Sequence, residues 1–367
     1  MSRKNRKKQK PVFPKEIPQE FFDRLTAMFG DALSSELQQT FIERPTTFRV
    51  NTLRAKTTDI LAVLKEKEFE LEQVAWLSDT YILRNKEKRD ICDLDIYTDA
   101  QIYLQSIASM IPPLVLDPKP GDTVLDLTAA PGSKTSQMAI MMKQEGELVA
   151  NDKNKIRFFK LKHNMEQQGV IKMSSPYQGE LEGVGRNDEH SLSADTTGAR
   201  TKDPSQPPLV GEENWKVTLR MEPGTVLLQE YEQYFDKILL DAPCSSEARF
   251  VSTNNKTFGY WKDRKVKEMA YTQRRLLLSA WKSLKPGGTL VYSTCTFAPE
   301  ENEMQIDRLL ERFDDVQVLP VEIPDVERLP IMKEWEGKTL SPEVQKCFRV
   351  KPTKDIEGFF IAKLQKK

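Results

Sequence analysis

From about residue 120 the chain alternates short apolar, β-branched runs with segments whose apolar residues recur at helical spacing. Residues 123–127, 147–151, 217–220, 235–241 and 289–293 are such runs, and their near-continuous hydrophobicity predicts strands buried on both faces. Strand and helix in alternation predict an α/β fold, a mostly parallel sheet with helices on both faces. Residues 345–350 and 358–364 predict a closing antiparallel pair. Ahead of the sheet, Phe21, Phe22, Leu25, Met28 and Phe29 mark one face of a helix that Gly30 stops, and a second helix runs to about Ile42. Residues 46–53 alternate like a strand, Ile60, Leu61, Val63 and Leu64 mark another helix, 69–76 and 80–83 read as strands, and 99–116 as a helix. The expected organisation is a basic disordered tail over 1–17, a small α+β unit over 18–95, and an α/β domain over 96–367.

One segment breaks the rhythm. Residues 172–213 are rich in Ser, Gly, Asp, Glu, Thr and Pro and poor in large apolar side chains, which predicts an insertion that loops out of the domain. Charge adds little: Lys plus Arg and Asp plus Glu are both 55, so only a local cluster, such as the Lys/Arg-rich first ten residues, could favour a polyanion. That tail reads as a solvated arm, a phosphate-contacting arm or an address. No apolar run is long enough to span a membrane, and the start lacks the apolar core of a secretory signal. Four widely spaced cysteines (Cys92, Cys244, Cys295, Cys347) do not resemble a disulfide framework, so a reducing, cytoplasmic setting is expected. With two histidines and no paired-cysteine spacing, no metal site is expected.

Chemistry concentrates at strand ends. The 289–293 strand runs into Thr294-Cys295-Thr296, ahead of a helix opening near Pro299 with Glu300, Glu301 and Glu303 where the helix dipole favours acid. The 235–241 strand runs into Asp241-Ala242-Pro243-Cys244. A lone cysteine is most simply a small buried hydrophobe; two at matching strand ends, one beside Asp241, point to nucleophilic chemistry. The first strand ends at Asp126 and a turn of small residues, Thr128, Ala129, Ala130, Pro131, Gly132, Ser133 and Lys134. It matches neither the dinucleotide fingerprint nor the phosphate loop. Asp152 ends the second strand, placed either to hold ribose hydroxyls or to cap the next helix. Turn, acid and the Asp-Ala-Pro-Cys edge together suggest an adenosine ligand without pyrophosphate, for which S-adenosyl-L-methionine is the natural candidate. Met138, Met141 and Met142 read as core.

At these residues the chain resembles the Nop/Sun family of RNA (cytosine-5-)-methyltransferases, through RPTTFRVNTLRA (44–55), QIYLQSIASMIPP (101–113), VLDLTAAPGSKTSQMA (124–139), DKILLDAPCSS (236–246), KPGGTLVYSTCTFAPEENE (285–303) and GFFIAKL (358–364). The resemblance implies a Rossmann-like class I methyltransferase sheet behind a small RNA-contacting domain, making 5-methylcytosine in rRNA or tRNA; a monomer is expected. It implies that residues 128–134 line the methionine and adenosine end of the cofactor, that Asp152 holds the ribose with Arg157 nearby, and that Asp241 faces cofactor and cytosine. It also implies Cys295 as nucleophile and Cys244 as the aid to product release. Departures are Thr128 and Ser133, where the family often has Cys or Gly, and Ser245-Ser246-Glu247-Ala248-Arg249, where the fourth-strand signature usually continues with Ser-Gly; Glu222 is the one acid found after the third strand, near the adenine position.

The reaction explains the residue types. Cytosine carbon 5 becomes nucleophilic once a thiolate adds to carbon 6, an acid such as Asp241 must offset the charge on the ring, and a base must later remove the carbon 5 proton. Lys134 is either a positioning group near the methyl donor or a solvated helix-start lysine. The target base must leave its stack, so single-stranded or loop cytosines are expected. Arg249, Lys256, Lys262, Arg264, Lys265 and Lys267, interleaved with Phe250, Phe258, Tyr260 and Trp261, read as either a strand-binding surface with stacking platforms or a charged helix face. The competing function is an RNA-binding assembly factor with a vestigial pocket.

Overall fold

The computed structural model describes residues 14–172 and 214–367. The expectations for the start of the basic tail and for the 173–213 part of the insertion lie outside the described residues.

The chain enters through a helix, Gln19–Gln38, broken at Gly30, whose φ of 75° and ψ of 167° interrupt it where the sequence predicts a stop. Its apolar face does not pack on the small unit with which its sequence position groups it. Phe21, Leu25 and Leu37, with Phe41, join the core of the large sheet, and the Phe21 ring lies 5.0 Å from that of Phe250.

The small unit is a four-stranded antiparallel sheet of β1 (Thr47–Val50), β2 (Leu71–Gln73), β3 (Thr80–Leu83) and β4 (Ile102–Leu104) in the order β2-β3-β1-β4. The Thr57–Glu66 helix covers it, and Ile60 and Leu64 meet Phe48, Val50, Tyr81 and Ile102 in a separate core. The continuous helix expected over 99–116 is a correction. Ile102–Leu104 instead pairs with β1, Phe48 opposite Leu104, and the helix starts only at Ile107. An edge strand of that length carries too little pattern to compete with the apolar helical run after it.

The large sheet contains β5 (Thr123–Asp126), β6 (Gly146–Asn151), β7 (Trp215–Arg220), β8 (Phe235–Asp241), β9 (Leu284–Thr294), β10 (Val316–Leu319) and β11 (Arg328–Leu329). After a ribbon of β12 (Glu334–Trp335) and β13 (Lys338–Thr339), it is completed by β14 (Phe348–Val350) and β15 (Phe359–Lys366). The order is β11-β14-β15-β9-β8-β5-β6-β7, with β10 also on β15. Strands β5 to β9 are parallel, and β15 runs antiparallel between β9 and β14. These are the order and directions of a Rossmann-like class I methyltransferase sheet. Alternate residues feed two cores: Leu125, Leu240 and Tyr292 on one face with the Asp263–Ser283 and Glu303–Arg312 helices, Val124, Leu239 and Val291 on the other with the Ile107–Leu116, Ser133–Met141 and Lys155–Gln167 helices. The winding reverses at β5, with β6 and β7 to one side and β8 and β9 to the other, which opens a crevice at the carboxyl ends of β5 and β8.

Candidate active site

Parallel pairing sets the site. Asp241 of β8 lies opposite Ser293 of β9, so the loops that follow the two strands leave the sheet side by side. Cys244 and Cys295 meet there with their Sγ atoms 3.3 Å apart, and Ser246 Oγ lies 3.6 Å from Cys295 Sγ and 3.8 Å from Cys244 Sγ. The two thiols are driven in opposite directions. A hydrogen bond from Cys244 draws Cys295 below the ordinary thiol range, with help from the Arg249 charge and against burial and Asp241. The same contact, with burial and the nearby Glu301 carboxyl, pushes Cys244 well above that range. Cys347 is buried in the core, which raises its thiol and leaves it inert.

Asp241 is fixed from three sides. Lys134 Nζ lies 2.7 Å from its Oδ2, Ser293 Oγ donates to its Oδ1 at 2.9 Å, and Thr128 Oγ1 donates to its main-chain oxygen at 2.7 Å across the crevice. Lys134 is buried rather than a solvated lysine, and also donates to Ser109 Oγ at 2.7 Å. Behind it, Asp126 accepts from Thr135 Oγ1 at 2.7 Å, and burial pushes its carboxyl up to about 7.

The turn after β5 is braced by Ala129 N–H donating to Asn151 O and Gly132 N–H donating to Ala129 O. Gly132 adopts a φ of 105°, and a Cβ there would lie 2.6 Å from Met165 Cε and 3.0 Å from Leu161 Cδ1. Glycine thus lets the Lys155–Gln167 helix close on the turn. That helix is capped by Asn154, whose side chain accepts from Arg157 N–H, so Asp152 is not its cap. Asp152 Oδ2 faces Arg157 at 3.2 Å, and Arg157 donates to Ala130 O at 2.6 Å.

A cleft of about 670 Å³ runs from Asp152, Asn154 and Arg157 past Pro223, Gly224 and Thr225 to Cys244 and Cys295. A smaller cavity of about 340 Å³ adjoins it, sharing Thr128, Ala130, Arg157, Asp241, Arg249 and Cys295, and reaching Lys134, Glu357 and Phe359. The two volumes share Cys295, the thiol drawn below the ordinary range.

A family model described as 16S rRNA methyltransferase RsmB/F matches residues 113–177 and 215–365. The chain belongs to this family. A tRNA (cytosine(49)-C(5))-methyltransferase of Pyrococcus abyssi is 37% identical over 319 residues, 87% of either chain. A ribosomal RNA small subunit methyltransferase F of Pectobacterium atrosepticum is 29% identical over 361 residues, a match that covers 96% of this chain and 63% of that relative, so the chain spans less than two thirds of that protein. The crystal structure of a methyltransferase homolog protein from Pyrococcus horikoshii superposes with a TM-score of 0.73 at 30% identity, over 95% of each chain. The chain is accordingly an enzyme of the RNA (cytosine-5-)-methyltransferase class.

In this RsmB/F-type methyltransferase the fold brings together Cys295, Cys244, Asp241 and Lys134; Asp152 lines the larger cleft, and the turn residues other than Gly132 line one or both of the adjoining cavities. Three expectations need correction. Phe250, Phe258 and Trp261 are not stacking platforms: all are buried in the core, and Tyr260 alone of the four is exposed. Arg264, Lys265 and Lys267 pair with Glu268 and Asp263 on their own helix, the charged-face alternative. Glu222 pairs with Arg220 instead of lining the cleft, where Pro223, Gly224 and Thr225 stand. Sequence reasoning missed the carboxyls that lace the two cysteine loops. Glu301 accepts from Ser245 N–H and Gln273, and Glu247 from Trp261, Thr296 and Phe297 N–H. Glu301 reads as a dipole-favoured helix start, and Glu247 as a departure from the family pattern; burial is the feature that sets them apart.

Proposed function

We propose that this chain methylates carbon 5 of a cytosine in rRNA or tRNA, with S-adenosylmethionine as donor and Cys295 as attacking thiolate. The observation that carries the reading is the thiol pair, 3.3 Å apart: both line the larger cleft, Cys295 also lines the smaller cavity, and Cys295 is drawn down while Cys244 is pushed up. The donor set suits an adenosine ligand. The Asp152 carboxylate can accept from a ribose diol, small residues at 128–134 allow close approach, and the turn matches neither the dinucleotide fingerprint nor the phosphate loop. When bound, S-adenosylmethionine supplies an electrophilic methyl group.

Cys295 forms the sulfur–carbon 6 bond, and the ring's double-bond electrons move toward nitrogen 3. Asp241 holds the Lys134 ammonium at 2.7 Å, so the proton that offsets this charge comes from the pair, with Lys134 as its holder. Carbon 5 then takes the methyl group. With Cys295 bound to carbon, Cys244 no longer has a neighbouring thiolate that retains its proton. It can lose that proton to solvent and accept the one on carbon 5 as the carbon 5–carbon 6 double bond re-forms; Cys295 leaves as thiolate, and nitrogen 3 returns its proton to Lys134.

The test is incubation of the full chain with unmodified tRNA and rRNA transcripts and the donor, followed by nucleoside mass spectrometry. The expected result is 5-methylcytosine on one transcript class, and stabilisation by S-adenosylhomocysteine in a thermal shift that Asp152→Ala abolishes. An assembly factor with a vestigial pocket would give neither.

A further inference from the structure

The smaller cavity contains a group that the reaction leaves unused. Glu357, 7% exposed, lines it together with Cys295, Lys134 and Asp241. Its Oε2 is buried without a hydrogen-bond partner. A buried carboxylate oxygen with no donor is costly unless a ligand or water supplies one. Asp241 differs in that each of its oxygens already has a partner, Lys134 on one and Ser293 on the other. Glu357 cannot retreat easily. A Cβ on the next residue, Gly358, would lie 2.8 Å from Phe297 and 3.1 Å from Ala248, so the backbone that carries the carboxylate is wedged against the Cys295 loop. The guanidinium groups of Arg249 and Arg44 both lie close enough to interact electrostatically with the Glu357 carboxyl.

The edge of cytosine away from its ribose offers acceptors at oxygen 2 and nitrogen 3 and a donor amine at carbon 4. Lys134 and Arg249 supply donors in this cavity; the amine needs an acceptor. We propose that Glu357 Oε2 accepts a hydrogen bond from the exocyclic amine of the target cytosine, and so excludes uracil, whose oxygen 4 would face the carboxylate. The inference rests on the covalent reading above and adds the residue that selects the base. A site built around a buried acceptor rejects a ligand that lacks the donor more strongly than an apolar pocket does.

The test uses Cys244→Ala protein, which should trap the covalent adduct, and a short synthetic RNA spanning the cytosine at which that adduct maps. Three versions of the RNA carry cytidine, its 4-deamino analogue (a pyrimidin-2-one riboside) or 2′-deoxycytidine at the target. Adduct formation is timed with Glu357 intact, with Glu357→Met and with Glu357→Gln. On cytidine, Glu357→Met should slow the adduct on the order of 10- to 100-fold, the size of a lost hydrogen bond to a charged group. Glu357→Gln, which keeps an acceptor oxygen, should recover most of the rate. On the 4-deamino RNA the Met variant should cost less than about threefold, while the 2′-deoxy RNA should feel the full loss. S-adenosylhomocysteine should stabilise all variants equally. Equal slowing on cytidine and its 4-deamino analogue overturns the proposal, as does loss of the effect on 2′-deoxycytidine, which would make the ribose hydroxyl the donor. Absence of any adduct with Glu357 intact sinks the covalent reading itself and this inference with it.

Discussion

At the scale of single residues, the account turns on how two identical side chains acquire different roles. Cys244 and Cys295 share one edge and one serine, yet the Arg249 charge pulls on Cys295 while Glu301 lies nearer Cys244. A lowered folded value means that the Cys295 thiolate is already populated at a pH where a free thiol is still protonated. Alkylation of Cys295 by iodoacetamide, followed by peptide mass spectrometry against pH, should therefore show a midpoint below that of a free thiol. Both Cys244→Ala, which removes the donated hydrogen bond, and Arg249→Ala, which removes the charge, should move it upward. A midpoint at or above the ordinary value, unmoved by either change, would remove the electrostatic basis for the assignment.

At the scale of elements, the segment after β9 explains what was legible in the sequence and what was not. The strand itself was legible, because a buried parallel strand is an unbroken apolar run. Their sequence position suits the acids after it to the helix dipole, and the structure gives each its own partner. Glu300 binds Arg24 at 2.8 Å, Glu301 takes Ser245 N–H and Gln273, and Glu303 forms a two-pronged pair with Arg349 of β14. Arg349 also donates to Phe297 O, so the antiparallel strand pair clamps the Cys295 loop. No local pattern announces such a partner, because Arg349 is far away in sequence, and the same holds for β4 and for the buried aromatics of 250–261. Removal of one member of a buried pair strands a charge, at a cost of about 3–5 kcal/mol. Arg349→Leu should lower unfolding stability in urea by that amount, whereas the surface change Arg264→Leu should cost no more than about 0.5 kcal/mol. A loss below about 1 kcal/mol for Arg349→Leu would show that the clamp contributes little.

At the scale of the whole molecule, burial of acids near the crevice couples stability to pH. Burial raises Asp126 from 3.8 to about 7 and Glu301 from 4.5 to about 8, with the Glu247 charge adding to the second shift. Between the ordinary and raised values the folded chain holds protons that the unfolded chain has lost, so unfolding releases protons and stability falls as pH rises. The melting temperature should therefore decline from pH 5 to pH 8, and Glu301→Gln should flatten the decline; a curve for Glu301→Gln parallel to the parent's would contradict it. The same scale shows why the family was readable. The turn, Asp152 and both cysteines lie at the carboxyl ends of β5, β6, β8 and β9, where the topology must bring them together.

The central claim is that Cys295 attacks and Cys244 releases. The most direct measurement is a denaturing gel for protein–RNA adducts, run on the parent chain, Cys244→Ala and Cys295→Ala after incubation with unmodified tRNA and rRNA transcripts and S-adenosylmethionine. Cys244→Ala should accumulate a covalent adduct that the parent turns over, and Cys295→Ala should show neither adduct nor 5-methylcytosine. An adduct that accumulates in Cys295→Ala and is absent from Cys244→Ala would reverse the two roles and contradict the account.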